Sequence, residues 1–168
     1  MGGKGSGRTY LVRKTAVEEC CEVAVSDLAG GGPLRPGVRR RGGLAWCRGG
    51  GVVFALGYAL DTADPAAAAV RLGYASAGGE EIEEVFRLEV TRPNYGGVRF
   101  WFTCPGCGRR RRKLYLPPRR RLFRCRECYD LTYESCRESH RYDRLFAELG
   151  EALALPAAAV EAVIKGGR

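Results

Sequence analysis

An α+β fold is expected of this chain: a capped N-terminal helix, an antiparallel β-meander, a four-cysteine ribbon and C-terminal helices. Three observations predict it. Apolar residues recur at helical spacing over 17–28, five short runs between 44 and 103 have strand composition, and two C-x-x-C pairs follow at 104–107 and 125–128. The expected divisions are a flexible basic tail over 1–14, a helix plus meander over 15–103, a ribbon over 104–131 and a helical segment over 132–168.

The first eight residues are Gly-rich and basic and read as a flexible tail. Thr15-Ala-Val-Glu18 has the form of a capping box, in which the Thr15 hydroxyl accepts from the Glu18 amide and Glu18 reaches back. Val17, Cys20, Cys21, Ala24, Val25 and Leu28 then line one helical face that stops at Gly30-Gly31-Gly32. Cys20 and Cys21 read as core residues, since free cysteine is commonly buried. Arg35 to Gly43 is a basic, turn-rich connector, read either as a solvated loop or as a phosphate contact.

From Leu44 to Cys104 the period changes. Leu44–Cys47, Val52–Leu60, Ala67–Ala75, Ile82–Thr91 and Val98–Thr103 are separated by Gly, Pro, Asp or Asn clusters, the pattern of an antiparallel meander. Phe86, Leu88 and Val90 alternate with Val85, Arg87 and Glu89, which puts the first set on the buried face.

Cys104 and Cys107 form one pair, Cys125 and Cys128 the other, with seventeen residues between them. That separation falls in the roughly 15–20-residue window of four-cysteine zinc sites. Each tight turn aims two sulfurs at one point, and two turns complete a tetrahedron around one structural Zn²⁺. Two disulfides or four free thiols are the competing reading. They fit an oxidising compartment, whereas the basic N-terminus lacks the apolar core of a secretory signal and points to a reducing cytoplasm. No apolar run reaches the length of a membrane span.

Residues 109–126 contain ten basic side chains and no acidic one. Arg109, Arg110, Arg111, Arg112, Lys113, Arg119, Arg120, Arg121 and Arg124 are the candidate nucleic-acid contacts, carried on a ribbon hairpin with Pro117-Pro118 at its tip. A doubly negative zinc–thiolate centre accounts for some of that charge. The remainder repels itself unless an anion neutralises it, and nucleic-acid phosphate is the expected anion. Tyr115, Phe123 and Trp101 are candidates for stacking on bases. The formal charge of +9 falls to about +7 once four thiolates and one Zn²⁺ are counted, still favouring a polyanionic partner.

Beyond the second pair, a helix is expected over roughly 133–149 and a shorter one from Pro156 to Gly166. Cys136 and His140 lie four apart, too few ligands for a second metal site.

These motifs resemble a known group. Gly96-Gly97-Val-Arg-Phe-Trp-Phe-Thr-Cys-Pro-Gly-Cys-Gly-Arg-Arg, Leu-Tyr-Leu and Phe-Arg-Cys-Arg-Glu-Cys-Tyr-Asp-Leu-Thr-Tyr-Glu-Ser are similar to a family of uncharacterised bacterial and phage-associated zinc-ribbon proteins. The likeness extends from Gly5 to about Gly150 and includes Leu-Arg-Pro-Gly in the N-terminal half. It implies Cys104, Cys107, Cys125 and Cys128 as ligands and a bacterial or prophage setting, and carries no established activity. The chain departs from the pattern at Cys136, where Gln is expected, and in its dense arginines.

The expected function is non-enzymatic nucleic-acid binding, DNA or RNA, with zinc fixing the ribbon. A protein–protein adaptor is the alternative, and a metal-dependent nuclease the weaker one. Four cysteines leave zinc no open coordination position, and Asp130, Glu134, His140 and Asp143 match no catalytic spacing.

Overall fold

Side-chain alternation along consecutive strands decides the architecture. The structure, a computed structural model, describes residues 14–94 and 96–138 together with 148, 149, 151, 152 and 156. Eight strands are present: β1 (Cys21–Ala24), β2 (Arg39–Arg48), β3 (Gly51–Asp61), β4 (Ala69–Ala75), β5 (Glu81–Thr91), β6 (Arg99–Thr103), β7 (Arg110–Arg111) and β8 (Lys113–Leu116). Strands β2 to β7 form one sheet in sequence order, each pair antiparallel, and β1 pairs with β8 in a separate two-stranded ribbon.

The fold is therefore mostly β, which corrects the α+β expectation. Among the described residues the α-helix α1 over Glu134–Glu138 has five residues, and 148, 149, 151 and 152 are also helical. The expected residues 139–147 and the short helix beyond Pro156 lie outside the described residues. His140 lies outside them too. Contacts divide the chain into two compact units, Met1–Leu131 and Thr132–Arg168.

The N-terminal helix is also absent. Val17–Glu19 is a single 3₁₀ turn capped by Ala16 with no side-chain cap bond, so Thr15 and Glu18 do not close a capping box. β1 follows at once, and a second 3₁₀ turn covers Asp27–Ala29. Of the six expected apolar positions five are buried and Cys21 is only half-buried, and they divide between two groups. Val23, Val25 and Leu28 join the main core, whereas Val17 and Cys20 pack with Tyr115 and Leu131. A strand partner 90 residues away, Cys21 opposite Leu116 and Ala24 opposite Lys113, outweighs the local helical period.

The five strands of 39–103 overlap the five apolar runs, with β2 beginning at Arg39 inside the basic connector. Even-numbered residues face the core: Leu56, Leu60, Val70, Leu72, Phe86, Leu88, Phe100 and Phe102 are all buried. Each of Phe86, Phe102 and Phe123, fully buried, contributes roughly 2–3 kcal/mol of transfer free energy. The β2–β3 turn uses Gly49 and Gly50, both at positive φ (57° and 83°), the geometry of a two-residue hairpin matched to strand twist. One strand residue beyond that turn, the pairing slips between Trp46 and Cys47, leaving a bulge at Val53.

No described helix is long and apolar enough to cross a membrane.

Candidate metal centre and its basic tip

Both cysteine pairs sit on turns set by the strands that flank them. Cys104 ends β6, and Gly108 N donates to Cys104 O (2.7 Å) to fold the first turn. Cys104 N in turn donates to Arg109 O (3.0 Å), leading into β7 against β6. Between these residues Gly106 is required, because a Cβ there would stand 2.9 Å from Cys128 Sγ and 3.0 Å from Arg124 Cδ. The second turn is anchored by an antiparallel bridge between Tyr115 and Arg124, after which Tyr129 N donates to Cys125 O (3.3 Å).

The four sulfurs converge. Cys104 Sγ lies 3.8 Å from Cys128 Sγ and Cys107 Sγ lies 3.7 Å from Cys125 Sγ, and all four are within 4.8 Å of one another. A tetrahedron with metal–sulfur bonds of about 2.3 Å has edges of about 3.8 Å, so the set is sized for one tetrahedral ion. A disulfide, at about 2.05 Å, is far shorter, and all four are free cysteines. The chain thus holds a four-cysteine cluster built for a metal ion.

Its electrostatics agree. The Arg109 backbone amide donates to Cys107 and holds that thiol down at about 7. Burial pushes the Cys125 thiol up, and Cys128 is pushed up by desolvation and by the three neighbouring sulfurs. Four crowded thiolates repel one another, and a divalent cation relieves that repulsion. Cys125 N also donates to Cys104 Sγ (3.4 Å), a backbone contact that ties the second turn to the first.

The basic residues separate into two groups. Six of the nine predicted contacts are held by carboxylates of this chain. Arg109 (3.1 Å) and Arg111 (2.6 Å) share Glu127, Arg110 meets Glu89 (3.2 Å), and Lys113 meets Glu22 (2.7 Å). Arg121 pairs with Glu80, and Arg124 with Glu84 (3.1 Å). Five glutamates therefore supply much of the neutralisation that the sequence assigned to an external anion. Arg112, Arg119 and Arg120 have no carboxylate partner among the described residues.

Arg119 and Arg120 sit on a turn, where Arg120 N donates to Pro117 O (3.1 Å) and Arg119 has φ 66°. Proline at the second position and positive φ at the third are the pattern of a type II turn, whose third position ordinarily takes glycine. The arginine costs roughly 1–2 kcal/mol there relative to an unstrained backbone. The Arg120 guanidinium lies 5.7 Å over the Tyr129 ring, and the Tyr129 hydroxyl donates to Leu122 O.

Two of the three predicted stacking residues, Phe123 and Tyr115, are not available. Phe123 is fully buried and Tyr115 nearly so, because both form the core under the ribbon. Trp101 is half-buried, with Nε1 donating to Thr91 Oγ1 (2.8 Å). The sequence reading missed a different aromatic set. Trp46 and Phe54 face each other across β2 and β3 with ring centroids 5.3 Å apart, and Phe54 continues to Tyr74 at 5.6 Å. Their alternation with Ala45 and Ala55 was the available signal, but it marks a buried face without revealing that one end stays open.

No protein-family model, curated protein or solved structure matches the chain.

Proposed function

We propose that this is a non-enzymatic nucleic-acid-binding protein whose four cysteines hold one structural Zn²⁺ and whose 117–121 turn contacts phosphate. Zinc is the ion favoured by an all-thiolate tetrahedron. With four sulfur ligands it has no open position for substrate, which is why no metal-centred catalysis is assigned.

Arg119 carries this reading. A long cationic side chain occupies a left-handed turn position where glycine would cost nothing, and no carboxylate among the described residues holds it. Strain kept at an exposed turn is a mark of function. Arg120 beside it and Arg48, whose Nη2 donates to Glu18 O (2.9 Å), border the same cleft. The contact set is smaller than the sequence suggested. Three phosphates engaged give a log affinity–log salt slope of about −2 on single strands or about −3 on duplex.

The test is a salt-titrated binding assay with Arg119→Gly and Arg119→Gly/Arg120→Ala. Both should bind oligonucleotides more weakly, while Arg119→Gly alone should gain up to about 1 kcal/mol of folding stability from relieved strain, read as a higher melting temperature. Unchanged affinity in both variants, or no binding by wild type at low salt, sinks the proposal.

An adaptor that adds a partner's strand to the ten-residue edge strand β2 is the second reading. That edge carries Arg39, Arg41 and Arg48, and charged side chains on an edge discourage strand addition. The first reading is therefore preferred.

A further inference from the structure

We infer that the ligand is single-stranded nucleic acid, and that one unpaired base enters a cleft beside the turn and stacks on Trp46. This deepens the proposed function and rests on it. The cleft has a volume of about 610 Å³, within the roughly 300–1,000 Å³ of sites that enclose small ligands. Trp46 and Phe54, both half-buried, belong to its wall, as does the nearly buried Tyr74. Arg48 stands beside the wall at the end of β2, and Arg119 and Arg120 on the turn beyond it.

The combination is specific in its chemistry. Aromatic faces bind any base by stacking, and guanidinium groups at the rim take the flanking phosphates. Glu18 and Glu19 also line the cleft. In a duplex the bases are stacked on one another and do not reach Trp46 unless one is extruded, which costs a few kcal/mol. A strand with free bases meets no such cost. The bulge at Val53 lies directly beside the Trp46–Phe54 pair, a placement that re-aims side chains at the end of a hairpin.

The chain contains two tryptophans, so Trp101→Phe leaves Trp46 as the sole indole reporter. The experiment titrates zinc-loaded Trp101→Phe protein with oligothymidylate, with the same sequence as a duplex, and with inorganic polyphosphate. Trp46 emission should be quenched by the single strand and scarcely by duplex or polyphosphate. Trp46→Leu, made in the wild-type background, should lower single-strand affinity by roughly 10- to 100-fold with its metal content unchanged. Binding of the single strand without quenching overturns the cleft and leaves the phosphate-binding turn intact. Equal quenching by polyphosphate does the same. No binding of any probe overturns the proposed function, and this inference with it.

Discussion

Arg124 Nη1 donates to Glu84 Oε2 over 3.1 Å, and only 10% of that glutamate side chain is exposed. Its other oxygen accepts from Phe123 N (2.7 Å) and lies 2.6 Å from the Tyr74 hydroxyl, which in turn sits 2.8 Å from Arg121 O. One carboxylate on β5 thus clamps the segment leading into the second cysteine pair. Burial, with the Glu84 contact, pushes the Tyr74 phenol well above its ordinary range, so it stays protonated and able to donate.

Removing that clamp should be severe. Glu84→Ala removes the carboxylate from the Arg124 guanidinium and the acceptor from Phe123 N, while Tyr74 keeps Arg121 O, and should cost roughly 3–5 kcal/mol in chemical denaturation. Glu84→Gln keeps an acceptor and should cost less. A Glu84→Ala protein within about 1 kcal/mol of wild type would refute the role of this contact.

Metal content should be one ion per chain by elemental analysis. Chelation should abolish ordering of 104–128 and lower the melting temperature, because backbone geometry there is fixed by shared sulfurs. Gly106→Ala should weaken metal retention, since its Cβ would collide with Cys128 Sγ. Full retention by this variant in a competing chelator would contradict the packing.

Thiol alkylation at pH 8 should separate seven of the eight cysteines. Cys20 is buried, its thiol is pushed up to about 12 chiefly by desolvation, and its Sγ–H donates to Ala16 O (3.3 Å). Exposed Cys47 and Cys136 should label first, Cys104, Cys107, Cys125 and Cys128 only after chelation, and Cys20 only on unfolding. Mass mapping that finds Cys20 among the first group would be inconsistent with its burial.

Glu127 gives the pH dependence. The Arg111 hydrogen bond, with Arg109 nearby, holds its carboxyl below the ordinary 4.5. A depressed folded-state pKa stabilises the fold above the ordinary value, and that contribution disappears as pH falls through the depressed one. Carbon-detected NMR titration should place its midpoint below that of an unpaired glutamate. A midpoint at or above 4.5 would break the assignment.

The cysteine cluster was legible because C-x-x-C spacing is a local constraint, and the meander because its period of two persists over five runs. β1 was not. Cys21 and Ala24 satisfy a helical period on paper, while the residues that pair with them, Leu116 and Lys113, lie far along the chain. The arginine excess was misjudged for the same reason. Glu22, Glu80, Glu84 and Glu89 are distant in sequence and meet the basic segment only after folding. Even Glu127, between the second pair of cysteines, falls just outside the acid-free window. Composition identifies surplus charge within a window; only the fold shows which of it is already answered.

The pairing of β1 with β8 has a temporal consequence. During synthesis the N-terminal strand has no partner until residue 116 has emerged, 92 residues after Ala24, a wait of roughly 5–20 s at ordinary elongation rates. The meander can form in the interval from neighbouring hairpins alone. The first cysteine turn precedes β8 and the second follows it, so β1 is paired after the meander and before the four-cysteine cluster can be complete.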